Sequence, residues 1–227
     1  LEVTLETNPG TAEHGRFELY RTAGVNRLSF GVQTFDDETL KRLGRIHDSG
    51  EADAAVKLAQ DAGFDNFNLD LMYALPGQTL AMAERDLERA FALQPTHVSH
   101  YQLTLEPNTV FAARPPRDIP DDDASWDIQE HCQAMLAQAG YAQYEVSAYA
   151  QPGRQCLHNL NYWQYGDYLG IGAGAHGKIT LGAEQDILRR WKIKHPTRYL
   201  VAAGHAEAIG GDDRIAPARR PFEYMLN

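Results

Sequence analysis

Two cysteines, Cys132 and Cys156, are all that the 227 residues contain. That is too few for a disulfide framework and suggests a reducing compartment, so a cytoplasmic setting is expected. No apolar run approaches the ~20 residues needed to cross a bilayer, and no signal-peptide pattern opens the chain. Positive charge is scarce. The 21 Lys and Arg against 31 Asp and Glu leave a formal net charge of −10. This argues against a general nucleic-acid binder, whose affinity would rest on a basic face. The only compact basic cluster, Arg189 to Lys192, reads as a solvated face. An initiating methionine is also missing. The chain opens directly in strand-like "LEVTLETNPG" and stops in "PFEYMLN", so it reads as a fragment.

What is present is the composition of a packed globular protein, 43% hydrophobic and 23% charged, long enough for one large α/β domain or two small ones. A phrase recurs in "TAGVNRLSF", "DAGFDNFNL" and "QAGYAQYEV": the end of a helix-like segment, Ala-Gly, then a β-rich run. Gly24, Gly63 and Gly140 stand where a helix would end in a left-handed residue. The strands expected are "VTLET", "RLSFGVQ", "NFNLDLMY", "HVSHYQLTL" and "QYEVSAY". Helices are expected over 51–62, over "TLAMAERDLERAFAL" with Leu80, Ala83, Leu87 and Phe91 inward and Thr79 as cap, and over 125–139 with Trp126, Ile128, Met135 and Leu136 inward. Alternating strands and helices predict an α/β fold with a parallel sheet.

A doubly wound sheet and a (β/α) barrel both fit that pattern. The barrel is favoured because strand after strand carries a polar residue toward its C-terminal end: Glu6, Gln33, Asp70, Gln102 with Thr104, and Glu145. In barrels that end is where side chains from separate strands meet over one site. About five strands instead of eight imply an open or incomplete barrel. The stretch "GIGAGAHGKI" satisfies two phosphate-loop patterns through Gly172, Gly174, Gly177 and Lys178. Both need a following helix, whereas "KITL" is β-branched and short, and Ile179 stands where a P-loop needs Ser or Thr. Close backbone approach to a flat or bulky partner is the better expectation for these glycines.

The pieces "LETNPG", "GVNRLSFGVQTF", "LKRLGRIH", "NLDLMYALPGQT", "YQLTLEPNT" and "HNLNYW…GIGAGAHGK", in this order, resemble the HemW family. That family is related to the oxygen-independent coproporphyrinogen III oxidases, HemN, within the radical S-adenosylmethionine (SAM) superfamily. The resemblance runs over nearly the whole chain. It implies an incomplete (β/α)6 barrel over 1–150 with a [4Fe–4S] cluster and SAM at the strands' C-terminal ends. Residues 151–227 would then carry a heme-associated segment, the glycine loop and the start of a C-terminal domain. Residue by residue, Glu6 matches the acid that engages the methionine amino group of SAM. Gln33 and Asp70 match ribose-side residues, and Arg45 matches the arginine that pairs with the methionine carboxylate. One departure stands out. The C-x-x-x-C-x-x-C loop whose three thiolates hold the cluster is absent from this sequence, and in such families it lies upstream of the strand that opens this chain.

The segment "CLHNLNYW", Cys156 to Trp163, taken alone is either a turn that plugs a core edge or a ligand site. The resemblance implies heme binding, with His158 as iron ligand, Tyr162 and Trp163 as aromatic walls, and Asn159 orienting the imidazole. Cys156 is a second candidate axial ligand, and His176 is ranked below His158. His47 is expected to pack near the SAM loop, while His14, His97, His100, His131, His195 and His205 show no ligand pattern. The implied function is a heme chaperone that delivers heme to an acceptor hemoprotein, supported by SAM and the cluster. The alternative is the radical decarboxylation of coproporphyrinogen III, against which the H-N-x-x-Y-W segment points.

Overall fold

A computed structural model describes residues 1–10, 16–182 and 186–225. The chain divides into two compact units, Leu1–Cys156 and Leu157–Asn227. Of the histidines, His14 lies outside the described residues.

In the first unit the order is β1 (Thr4–Thr7), α1 (Phe17–Thr22), β2 (Arg27–Gln33), α2 (Asp37–Arg42), α3 (Ser49–Asp61), β3 (Phe67–Tyr73), α4 (Leu80–Ala92), β4 (His97–Gln102), α5 (Val110–Ala113), α6 (Asp122–Gln138), β5 (Ala142–Gln143) and β6 (Ala148–Ala150). The strands form one sheet in the order β1-β2-β3-β4-β6-β5. The first four run parallel, as the alternation of elements predicts. The last pair departs from that expectation. "QYEVSAY" is a tight hairpin, with Tyr144 N–H donating to the Ala148 carbonyl, so β6 runs antiparallel to β4.

Local chemistry explains where the helices begin. Asp36, Asp48 and Asp121 each accept a backbone N–H of the first turn of α2, α3 and α6, and Asp48 completes a capping box with Glu51. Thr79 occupies the N-cap of α4, yet its exposed hydroxyl makes no cap bond; its carbonyl accepts from Met82 and Ala83 instead. Gly24, Gly63 and Gly140 end their helices at φ of 104°, 84° and 87°.

Leu28, Phe30 and Val32 of β2, with Leu69 and Leu71 of β3, turn toward the helices and are essentially inaccessible. They meet Ala52, Val56 and Ala59 of α3 and Leu87 and Ala90 of α4. Phe30 packs edge-on against Phe17 and Phe67. Trp126 departs from its expected inward place. The buried face of α6 is Ser125, Ile128, Cys132 and Leu136, and Trp126 is 62% exposed. Cys132 is a core residue whose thiol is pushed by burial up to about 12.

The second unit holds α7 (Leu157–Trp163), β7 (His176–Leu181), β8 (Asp186–Lys192), α8 (Pro196–Ala202), β9 (Ile209–Ile215) and α9 (Arg220–Met225). β7, β8 and β9 form an antiparallel sheet in that order. The basic cluster of β8 is neutralised locally. Arg189 pairs with Glu223 at 2.7 Å, and Arg190 grips Asp212 through two bonds of 2.6 and 2.9 Å.

Candidate functional site

Side chains alternate across a strand. Since Leu28, Phe30, Leu69, Leu71 and Val98 face the helices, Ser29 and Gly31 of β2, Asn68 and Asp70 of β3, and His97, Ser99 and Tyr101 of β4 share the other face. The parallel register sets Glu6 beside Ser29, Ser29 beside Asn68, Asn68 beside His97, and Asp70 beside Ser99. A bulge between Phe30 and Gln33 then re-aims the end of β2, where Gln33 sits at φ 72°. Ala74, just past β3, is at φ 55°. Two non-glycine residues in the left-handed region at neighbouring strand ends are strain of the kind that gathers at functional rims.

The face is laced by hydrogen bonds. Asn68 Nδ2 donates to Ser29 Oγ and to Asp70 Oδ1, each at 2.8 Å. Ser29 Oγ donates to Asp70 Oδ2 at 3.3 Å. Tyr101 Oη donates to Gln33 Oε1 at 2.8 Å. Burial raises the Asp70 pKa; the bonds from Asn68 and Ser29 oppose that rise, and the charge of Glu6 adds to it. The Tyr101 hydroxyl feels both Asp70 and Arg45. Glu6, Gln33, Arg45 and Asp70 are thereby brought together around one polar face.

Two loops frame this end of the sheet. Arg45 follows α2, its N–H donating back to the Leu40 carbonyl at 2.9 Å. His47 is buried as expected, with its Nε2 at 3.2 Å from the Val32 carbonyl. The turn after β1 packs on it so closely that a Cβ on Gly10 would lie 2.9 Å from the His47 Cβ.

Three expected members do not join. Gln102 is exposed one position beyond Tyr101, on the opposite side of the strand. Thr104 lies past β4 and bonds Glu106 at 3.2 Å. Glu145 sits in the β5–β6 turn and accepts the Ser147 N–H at 3.1 Å, because the hairpin replaces the fifth parallel strand. Sequence reasoning also passed over Ser29, Asn68, His97, Ser99, Tyr101 and Tyr144. Asn68 stands two residues from Asp70, a spacing that puts both on one face; most of the others are brought in by strand register. A separate hollow of about 340 Å³, lined by Phe35, Asp36, Met82, Arg85, Asp86, Glu88 and Arg89, involves none of the four.

In the second unit "LHNLNYW" is helix α7, none of whose residues is buried. His158 meets Tyr162 one turn on, ring edge to face at 4.7 Å, and Tyr162 in turn meets Tyr168 at 4.4 Å. Trp163 is 42% exposed, and Leu157, Leu169 and Ile171 are more so. His176 begins β7, exposed and stacked on Trp191 at 6.3 Å. Cys156, in the first unit, is buried with its Sγ 3.6 Å from Glu2 Oε1. The glycine loop leads into strand β7, as expected of a stretch that is no phosphate loop. Lys178 is wholly buried, donating to the Tyr165 carbonyl at 2.9 Å and to Asp167 at 3.0 Å. Within the loop a Cβ on Gly170 would run into the backbone of His176 and one on Gly177 would lie 3.1 Å from the Tyr168 carbonyl, while Gly172 and Gly174 take φ of 112° and 73°. Among the described residues no group of three His, Cys, Asp or Glu is placed to hold a metal ion.

Comparison with known proteins bears on the family and the fold. Residues 1–90 match the model of the radical SAM superfamily. The whole chain is 53% identical to "Heme chaperone HemW" of Haemophilus influenzae and 54% identical to that of Escherichia coli, spanning 58% of each relative's length. Among solved structures, the coproporphyrinogen III oxidase HemN of Escherichia coli superposes with a TM-score of 0.80 at 24% identity. That match covers 99% of this chain and 55% of HemN, a likeness of fold that makes the open parallel sheet an incomplete radical SAM barrel. The chain belongs to the HemW family of the radical SAM superfamily.

Proposed function

We propose that this chain forms the SAM-holding part of a heme chaperone and carries, in α7, the residues that meet heme. The observation behind the first half is the pair of carboxylates, Glu6 and Asp70, meeting over one polar face with Gln33, Tyr101 and Arg45. Two like charges at a half-buried face are relieved by a ligand that brings a cation and hydroxyl donors. SAM has both. Its ammonium suits Glu6, its ribose diol suits Asp70 and Gln33, and its carboxylate suits the Arg45 fork. When bound it supplies a sulfonium-linked adenosyl group, and the work of these residues is to hold and orient it.

A [4Fe–4S] cluster needs three thiolates, and the described residues do not fit it: Cys132 and Cys156 are both buried. Both are free thiols, which suits a reducing cytoplasm. Residues 1–150 are assigned to the barrel and 151–227 to heme handling. Heme is cargo here. A neutral imidazole ligates its iron, and half-buried Tyr162, exposed Trp163 and neighbouring aliphatic side chains suit its flat apolar faces. His158 is the ligand of choice and His176 the second. Sequestering a ring that aggregates in water, and releasing it to an acceptor hemoprotein, has a plain hydrophobic rationale.

Hemin titration of the full-length protein, followed at the Soret band, tests the assignment. The wild type is expected to shift the band. His158→Ala should weaken binding by at least the ~10–100-fold typical of changes around a coordinated metal. An unchanged spectrum and affinity in His158→Ala would remove His158 as ligand.

A further inference from the structure

Building on Asp70 as a ribose-facing carboxylate, we propose that Asn68 is the positioning residue that holds Asp70 toward its ligand, and that His97 and Tyr144 fix which way the Asn68 amide points. One arrangement of protons satisfies the chain of bonds. The Cys156 N–H donates to Tyr144 Oη at 3.2 Å. Tyr144 Oη lies 2.7 Å from His97 Nε2. Burial drives His97 down to about 3, so its ring is neutral and carries a single N–H. With the Tyr144 hydroxyl donating to Nε2, that proton sits on Nδ1, 2.7 Å from Asn68 Oδ1. Ser99 Oγ donates to the same oxygen at 3.1 Å. Two donors on Oδ1 settle the amide, and Nδ2 turns toward Asp70 and Ser29 at 2.8 Å.

A flipped amide would set oxygen against carboxylate, so the relay decides whether Asp70 is supported or repelled. Asn68 is 2% exposed and His97 1%, which keeps water from substituting for either partner. The other charged and titratable groups acting on this relay are Glu6 from β1, Arg27 from β2, Tyr101 from β4, Arg45 from the loop after α2, Glu145 from the β5–β6 turn and Cys156. Arg27 Nε is buried without a hydrogen-bond partner among the described residues.

The experiment measures SAM affinity by equilibrium dialysis on the anaerobic full-length protein with its cluster, between pH 6 and 8.5. Asn68→Asp replaces a donor to Asp70 by a second carboxylate. It is expected to bind SAM about tenfold more weakly at pH 8, the size of a hydrogen bond to a charged group, and to approach the wild type near pH 6. Two adjacent carboxyls share a proton, and that proton restores the donor. The wild type should change little over this range. Tyr144→Phe should weaken binding severalfold without recovery on acidification. A merely structural loss would not recover, and circular dichroism checks that each variant is folded. Equal affinity of Asn68→Asp and wild type at pH 8, or a deficit that is the same at both ends, overturns the positioning role. Asp70→Asn separates the two ideas. If it binds SAM like the wild type, the SAM reading itself falls; if it is weakened while Asn68→Asp is not, only the relay falls.

Discussion

The polar face of the first unit and the His158 helix of the second are built in opposite ways. Around Asp70 nearly every polar atom is bonded to a neighbour on another strand, and Ser29, Gln33, Asn68 and His97 are all buried. Along α7 nothing is buried, and His158 meets one aromatic ring. A small polar ligand needs its partners fixed beforehand, because each misplaced donor costs a hydrogen bond. A large apolar ring needs area, which exposed aromatic and aliphatic side chains provide without prior order. On the proposed reading, the first site is ordered by folding and the second only at the moment of binding.

The largest effect that would test this contrast lies at Asp86. It accepts Phe35 N–H at 2.7 Å and Thr34 Oγ at 2.8 Å, fixing the chain just beyond Gln33. Burial pushes its carboxyl up to about 6 from 3.8. The folded state thus binds more protons than the unfolded one between those values. Its contribution to stability is full below about pH 4 and is lost as pH rises through about 6. The loss is about 3 kcal/mol by pH 7. Asp86→Asn can keep both bonds, since the Thr34 hydroxyl rotates to accept. The difference in urea-unfolding free energy between wild type and Asp86→Asn should shift by that amount from pH 4 to 7. His97 and His100, whose pKa values burial lowers, lose stability on acidification in both proteins alike. Parallel pH curves for the two proteins would refute this account of the rim.

Lys178 comes next. Its fully buried ammonium ties Tyr165 and Asp167, in the connection between α7 and β7, and lies 4.0 Å above the Tyr165 ring. Breaking a buried pair costs about 3–5 kcal/mol. Asp167 is half exposed and also holds Thr180, so Lys178→Met should cost less, about 2 kcal/mol. Denaturation reads the cost directly. If Lys178→Met loses nothing, the second unit is not organised from this point.

How much of this was legible in the sequence follows from the same contrast. The Ala-Gly phrases marked helix ends because only a residue without a Cβ sits easily at positive φ, and the alternation of elements predicted the parallel sheet. Glu6, Gln33 and Asp70 stood out because a polar residue ending an apolar run is conspicuous. Asn68, Ser99 and Tyr101 were invisible one by one, since their meaning lies in register, which pairs residues 29 and 39 positions apart. The hairpin at Tyr144 was hidden as well: "QYEVSAY" has the β-branched and aromatic content of a strand, and its turn is held by side-chain bonds of Gln143 and Glu145 rather than by glycine or proline. Asp86 was hidden too, since its partners Thr34 and Phe35 lie about 50 residues upstream and only the fold brings them to it.

The smallest effect on stability, and the sharpest on the contrast, belongs to Trp163. At 42% exposure it is only partly packed in its own unit, so Trp163→Ala should lower unfolding free energy by about 1 kcal/mol. An aromatic contact with a porphyrin face is worth about 1 kcal/mol, so the same change should weaken hemin binding by about fivefold in the full-length protein. Binding and stability separate at such a residue to the extent that its exposed area is left for a ligand to bury. They do not separate at Asn68, whose bonds exist before any ligand arrives. A Trp163→Ala protein that binds hemin normally but melts early would place Trp163 in the core of its unit, and the two regions would then be built alike.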